Sequence, residues 1–421
     1  MIDEYVVSEG RKLRMGITTG TCAALAAQGA VRMLLSGREV KEACLVTPRG
    51  IRVAEPLLDI SIDDGYASCA VRKDAGDDKD ATDGILIYAR ASIPDAHDSA
   101  NAVGGISINS VNAVGGISIN SANAVGGVSV NNANPAGSIS IIGGTGIGRV
   151  TLPGLDQPVG AFAINSVPRK MIREAVMDAA NALGYDGPIE ITIYAPEGRK
   201  IAEKTFNPRL GIEGGISILG TSGIVEPMSL SALKSSIAVE IRQKAAMGHR
   251  KLILTPGNYG LAFITGWAAE NGIDRMKIPV VTCSNFIGDA LDEAGAAGFE
   301  DVLIVGHIGK LVKLAGGIMN THSRIADCRT EIFTAHAAMC GAGREICRDL
   351  MRAATTDACI EILKNYGFYE ETVKSIITAV SEHLNYRTQN QYRVGAVVFS
   401  NVYGFIGETA EARQIINNWR L

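Results

Sequence analysis

The 421-residue sequence is poor in aromatic residues (5%), with two tryptophans and 13 prolines, and it contains no CxxC pair. Its eight cysteines stand apart at positions 22, 44, 69, 283, 328, 340, 347 and 359. Without paired spacing they make neither a metal cage nor a disulfide framework, and they read as reduced cytosolic thiols. No apolar run approaches the roughly 18 residues that a spanning helix needs. The opening MIDEYVVSEGRKLRM is charged and holds no apolar signal core. These absences predict a cytoplasmic protein with no membrane partner. Basic charge is not in excess either. Lys plus Arg number 40 against 44 Asp plus Glu, and the net charge of −4 gives no general pull toward nucleic acid. What remains is ordinary globular material, 47% hydrophobic and 20% charged. That is enough for a core, and the length suits two or three domains.

Glycine is abundant, at 48 residues, and part of the excess is local. The run Asn101-Ala102-Val103-Gly104-Gly105-Ile106-Ser107-Ile108-Asn109-Ser110-Val111 recurs from Asn112, again from Asn123, and in decayed form from Asn134. The eleven-residue period reads as a tandem duplication forming a low-complexity surface loop, with a small solenoid as the alternative. Around it the pattern is mixed. An Ala-rich helix is expected over Thr21–Ser36, capped by Thr19 or Thr21 and ended by Gly37. Short strands follow between Ala43 and Ala91, then Ser138–Ile142 and Arg149–Leu152. A helix spans Pro168–Gly184, and Ile189–Ala195 with Lys200–Phe206 reads as a hairpin around Pro196-Glu197-Gly198.

From about Ser229 the rhythm becomes alternating helix and strand. Helices Leu230–Met247, Leu261–Asn271 and Phe286–Ala297 separate strands Lys251–Leu254, Pro279–Thr282 and Asp301–Val305. Helices fill Glu331–His383, and Ala396–Phe399 is a late strand. The fold class is therefore α/β. An α+β domain occupies 1–228, with the repeat inserted at about 96–137. A doubly wound, Rossmann-like domain with a parallel sheet occupies 229–421. In such sheets ligands sit outside the carboxyl ends of the strands.

Those strand ends carry the candidate site. The first gives Thr255-Pro256-Gly257-Asn258-Tyr259-Gly260, where glycines let backbone approach a ligand and a helix start offers free N–H groups. A plain strand-to-helix turn would look the same, and the letters are not GxGxxG. The second gives Thr282-Cys283-Ser284-Asn285; Asn285 suits a ribose or a helix cap equally. The third gives Val305-Gly306-His307-Ile308-Gly309-Lys310, followed by Lys313, His322, Asp327 and Arg329. Lys310 and Lys313 share a helical face. His322 and Asp327 suit a base and its orienting partner. Singly, each is an ordinary solvated lysine, core histidine or capping aspartate. The GxGxG letters of Gly144–Gly148 precede a strand, not a helix, so they are a turn. The acid-rich Asp74–Asp80 lacks the spacing of a calcium loop.

Five blocks, in order along nearly the whole chain, resemble the CbiD family, the cobalt-precorrin-5B C1-methyltransferases. They are Gly16-Ile17-Thr18-Thr19-Gly20-Thr21-Cys22-Ala23-Ala24, Val71-Arg72-Lys73-Asp74-Ala75-Gly76-Asp77-Asp78, and Gly146-Ile147-Gly148-Arg149-Val150-Thr151 with Pro153-Gly154-Leu155. The fourth and most distinctive is Lys204–Ile212 through Gly214-Gly215-Ile216-Ser217-Ile218-Leu219-Gly220-Thr221. The fifth is Gly306–Lys310 through His322 and Asp327. Two features depart from the family: the eleven-residue repeat, and Cys328, where a small residue such as Gly is expected. The resemblance implies methyl transfer from S-adenosylmethionine, as co-substrate, to C1 of a cobalt corrinoid in anaerobic cobalamin biosynthesis. It implies no protein-bound metal and a small-molecule partner, and it leaves homo-oligomer formation open. A corrinoid carrier without chemistry and a nucleotide-dependent oxidoreductase are the alternatives. On this reading His322 and Asp327 are catalytic. Thr255, Gly257, Asn258, Gly260, Ser284, Asn285, Gly306 and His307 face the methyl donor. Thr18, Thr19, Arg209, Lys310, Lys313 and Arg329 bind the corrinoid, the four basic residues through its carboxylates.

Overall fold

The computed structural model describes residues 3–8, 10–94, 138–274 and 276–420. The chain divides into two units, Met1–Thr151 with Val159–Met228, and Leu152–Pro158 with Ser229–Leu421. The repeat lies outside the described residues.

The first unit opens with an antiparallel hairpin, β1 (Tyr5–Ser8) and β2 (Arg11–Arg14). The two-residue β3 (Gly16–Ile17) then feeds α1 (Thr19–Ser36). This helix is apolar all round and is buried on nearly every side, as such a composition requires. Its cap is Thr18, not Thr19 or Thr21. Thr18 is still extended, and its Oγ1 accepts from the Thr21 N–H at 3.2 Å, whereas the other two threonines are already helical. Gly37, at φ 63°, ends the helix in the left-handed conformation.

A second hairpin, β4 (Glu42–Val46) and β5 (Arg52–Pro56), precedes the main sheet. That sheet uses β6 (Leu58–Asp63), β7 (Tyr66–Arg72), β8 (Leu86–Ser92) and β9 (Ile139–Gly143). After β10 (Arg149–Val150) and α2 (Ser166–Ala182) it is completed by β11 (Ile189–Tyr194), in the order β6-β7-β8-β11-β9. The helices α1 and α2 share one core with its apolar face. No second hairpin strand follows β11. Both of its edges are already taken, by β8 antiparallel and β9 parallel, so Lys200–Phe206 has no partner. It folds instead into the short α3 (Gly198–Ala202) and a turn, before β12 (Ile212–Glu213) and β13 (Ile224–Val225).

The second unit begins with α4 (Leu230–Ala246), β14 (Lys251–Thr255) and α5 (Asn258–Glu270). It continues through β15 (Val280–Thr282), α6 (Ile287–Ala296), β16 (Asp301–His307) and α7 (Ile308–Leu311). Four helices follow: α8 (Arg329–Met339), α9 (Arg344–Arg352), α10 (Thr356–Asn365) and α11 (Tyr369–Thr388). Finally come β17 (Arg393–Ser400), β18 (Gly404–Glu408) and α12 (Ala410–Trp419). The sheet order is β15-β14-β16-β17-β18. The first four strands are parallel and β18 is an antiparallel edge.

This order places the site. From β14 the chain winds outward to β15, then returns to β16 on the other side of β14. The helices leaving β14 and β16 therefore take opposite faces. Ile264, Trp267 and Ala268 of α5 join the core that holds Ile253 and Leu303, whereas Ile308 and Leu311 of α7 join the core that holds Leu252 and Ile304. In doubly wound sheets the ligand crevice lies between two such departing helices, which here places the candidate site at the carboxyl ends of β14 and β16.

Candidate functional site

One wall of the crevice is the turn after β14. Thr255 is fully buried. A side chain at Gly260 would put its Cβ 1.7 Å from Thr255 Oγ1, so only glycine lets α5 start this close to the strand. Gly257 has φ 154° and ψ −174°, a conformation open to glycine, and nothing lies within 4 Å on its side-chain side. The helix α5 begins without a capping side chain, which leaves its first N–H groups available.

The opposite wall is the turn after β16. His307 is the last residue of the strand and also the cap of α7; its Nδ1 accepts from the Gly309 N–H at 3.0 Å. The ring meets Phe399 edge-on, with centroids 5.7 Å apart, and lies 6.5 Å from the Tyr259 ring. Burial lowers the His307 pKa, against a smaller pull from Asp357. Gly306 passes tightly, since an added Cβ would meet Leu311 Cγ at 3.0 Å and Pro256 Cδ at 3.1 Å. Lys310 joins the two walls: its Nζ donates to the Pro256 carbonyl at 2.6 Å. Burial lowers the pKa of this ammonium, which Cys283 opposes. The Cys283 thiol is itself pushed up to about 12 by burial.

After β15, Ser284 adopts φ 53° and Asn285 is tied to the next loop. Asn285 O accepts from Thr321 N at 2.9 Å, and its Oδ1 lies 3.3 Å from Thr321 Oγ1. It is not the cap of α6; Phe286 occupies that position.

The expected cluster beyond Lys310 is arranged differently from the sequence reading. Lys313 is 1% exposed, and its Nζ donates to Thr321 O (3.1 Å), Ser323 Oγ (3.3 Å) and Ala326 O (2.8 Å). An ammonium has three protons, so none is left for a corrinoid carboxylate. Lys313 anchors the loop. Asp327 makes a two-pronged pair with Arg329, at 2.5 and 3.0 Å, and lies 3.5 Å from Lys313 Nζ. The Arg329 hydrogen bonds, with a contribution from Lys313, hold the Asp327 carboxyl below the usual range. His322 Nδ1 accepts from the Arg324 N–H at 3.2 Å. The His322–Asp327 couple therefore does not form, because two cations compete for the carboxylate and the backbone takes the imidazole nitrogen. Arg329 is likewise engaged by Asp327.

In the first unit the expected contact residues Thr18 and Thr19 are buried and bonded within the protein. Thr19 Oγ1 donates toward Ser217 O at 3.2 Å and accepts from Leu219 N at 2.9 Å. Arg209 is exposed, 5.8 Å above the Phe206 ring. The acidic loop is also self-contained. Asp74 takes both ends of Arg14 (2.5 and 2.7 Å), Asp80 pairs with buried Lys73 (2.6 Å), and Asp83 accepts from Ala75 N (2.8 Å). Among the described residues no group of three His, Cys, Asp or Glu side chains is placed to hold a metal ion. No helix among them is long and apolar enough to cross a membrane.

Pro256, Tyr259 and Phe399 were not singled out in the sequence. Tyr259 alone left a signal, an aromatic at a helix start; it is 70% exposed.

The fold is that of an α/β protein, and the turns at the carboxyl edge of its parallel sheet are the candidate small-ligand site. The chain belongs to the CbiD family: the CbiD model matches residues 6–227, and that of the CbiD C-terminal domain matches residues 320–410. A protein of Ruminiclostridium cellulolyticum named cobalt-precorrin-5B C(1)-methyltransferase is 41% identical over 401 residues, covering 95% of this chain and 92% of that one. One of the same name from Alkaliphilus metalliredigens is 36% identical, covering 99% and 97%. The crystal structure of the cobalamin biosynthesis protein CbiD from Archaeoglobus fulgidus is 25% identical, covers 77% of this chain and 87% of its own, and gives a TM-score of 0.36.

Proposed function

We propose that this chain transfers a methyl group from S-adenosylmethionine to C1 of cobalt-precorrin-5B, giving cobalt-precorrin-6A. The observation that carries the reaction is near full-length identity with methyltransferases of that name: 41% over 95% of the chain. The crevice at the switch point of the second unit supports a donor site there. Gly257 leaves open space where other residues carry a side chain, and the start of α5 presents uncapped N–H groups. Such a rim fits the polar edge of a nucleoside bearing an amino acid.

A sulfonium donor supplies a methyl group already activated for attack by carbon. The protein's part is then positioning, which brings reacting atoms into line and offsets several kcal/mol of the barrier. Thr255 and Gly260 hold α5 against β14. Lys310 fixes the Pro256–Gly257 turn from across the crevice. Asn285 ties the end of β15 to the loop anchored by Lys313.

The base role expected for His322 lacks support in this arrangement, because the Nδ1 lone pair is committed to Arg324. His322→Ala is expected to lower kcat by less than tenfold. Loss of a true general base costs about 10²- to 10⁴-fold. A loss in that range would restore His322 as the base.

Calorimetric titration with S-adenosylhomocysteine, with and without a corrinoid, tests the donor reading, and NAD is the control. One-site binding of S-adenosylhomocysteine alone is expected. Binding of NAD alone would overturn the reading in favour of an oxidoreductase. Corrinoid binding without any S-adenosylhomocysteine binding would favour a carrier.

A further inference from the structure

His307 stands at the centre of the crevice, and its surroundings fix more than its place. We propose that His307 is a locked hydrogen-bond donor: its Nδ1 lone pair is committed to the cap of α7, so the neutral ring carries its proton on Nε2 and offers that N–H to an oxygen of the bound ligand. The identity of that ligand as the methyl donor rests on the function proposed above; the tautomer does not.

The argument starts from the cap. The Gly309 N–H, 3.0 Å from Nδ1, is a donor with no lone pair. Nδ1 must therefore be the acceptor. Both the Nδ1–H tautomer and the imidazolium would set two protons against each other along this line. A ring flip would replace Nδ1 by a carbon and lose the cap. Phe399, packed edge-on at 90°, holds the ring plane.

Charge acts in the same direction. The Gly309 N–H aimed at Nδ1 opposes an imidazolium. Burial opposes it too and lowers the His307 pKa. The one group favouring charge is Asp357 on α10, whose pull is smaller than the effect of burial; one of its oxygens accepts from the Ser400 hydroxyl at 2.6 Å.

Nε2 makes no hydrogen bond to any described residue, and it is not among the buried atoms that lack a partner. It therefore keeps some access to solvent. A nitrogen that already bears a proton cannot take one. His307 thus donates to ligand and does not serve as a base.

Two measurements on the full chain test this. Nitrogen-15 NMR of the histidine rings, with His307→Ser to assign the signal, should show Nδ1 unprotonated and Nε2 protonated at pH 7. An Nδ1–H ring, or an imidazolium, would overturn the proposal. Serine retains a capping hydroxyl but removes the Nε2 donor. His307→Ser should therefore melt near the parent temperature and bind S-adenosylhomocysteine about tenfold more weakly, the scale of one lost hydrogen bond. Titration with 5′-methylthioadenosine, which lacks the carboxylate, locates the acceptor. If both ligands weaken, the oxygen is on the nucleoside; if only S-adenosylhomocysteine weakens, it is on the carboxylate. If neither weakens, the donor role is overturned. Should the parent chain bind neither ligand even with a corrinoid present, the methyl-donor reading fails, and the spectrum alone decides the tautomer.

Discussion

The motif loops of the first unit and the crevice of the second carry equally recognisable letters but use them differently. In the first unit the polar groups face one another. Thr18, Thr19 and Thr21 bind the Ser217–Gly223 loop to the start of α1, and Arg14, Lys73 and the acids of Asp74–Asp83 close on themselves. In the second unit, groups at the strand ends remain open: the N–H groups of α5, the space beside Gly257, and Nε2 of His307. A distinctive motif thus reports constraint of any kind, and only the inventory of filled and unfilled hydrogen bonds separates support from contact.

Glycine offers the sharpest way to break this comparison. Gly16→Ala would place a Cβ 2.3 Å from the Ala75 carbonyl carbon and 2.4 Å from the Asp74 oxygen, both backbone atoms that cannot move aside. Loss of more than about 4 kcal/mol is expected, enough to unfold the first unit, as read by urea denaturation. Gly257→Ala meets no atom within 4 Å and bears only the strain of its φ of 154°, about 1–3 kcal/mol. Its larger effect should fall on S-adenosylhomocysteine affinity. Equal stability losses for the two variants, with affinity unaffected by the second, would erase the distinction between the units.

Lys313 shows that the distinction is not simply between units. It lies in the second, yet it behaves like the motif residues of the first. Lys313→Met keeps the stem but leaves Thr321 O and Ala326 O without their donor. Each unsatisfied buried carbonyl costs about 1–3 kcal/mol, so a loss of about 2–4 kcal/mol is expected in thermal or chemical denaturation. Weakened corrinoid binding with unchanged stability would return Lys313 to the substrate role.

Much of the second unit was legible because parallel strands are continuous apolar runs. Lys251–Thr255 and Asp301–His307 stand out between Gly and Pro breakers, and the late strand was found at Ala396–Phe399 within the actual Arg393–Ser400. Strand order was not legible, because an apolar run says nothing about its neighbours. The β15-β14-β16 order, which creates the crevice, needed the structure. The same blindness to edges produced the hairpin expected after β11. The β1–β2 hairpin passed unnoticed because Arg11, Lys12 and Arg14 give no apolar alternation. Within the candidate site, the strand ends themselves were legible by position. Their partners were not, because a lysine reads the same whether it donates to three carbonyl and hydroxyl oxygens or to solvent.

Cys328 gives the smallest effect and joins both halves of the comparison. It precedes α8 with φ 49° and ψ 15°, the left-handed region, at the position where the sequence resemblance leads to the expectation of a small residue such as glycine. An L-residue there costs about 1–2 kcal/mol relative to glycine. Against this, glycine gives the unfolded chain more freedom. It would also remove a thiol that is packed against the core of the second unit. The strain is the larger quantity, so Cys328→Gly should stabilise the second unit by about 0.5–1 kcal/mol in urea denaturation, with the slope of the transition unchanged. The turn joins Asp327 to Arg329, so this variant should leave their two-pronged pair intact and turnover unchanged. A loss of stability would mean that packing of the thiol outweighs the backbone strain, and that the departure at 328 is a local adaptation of this chain's core.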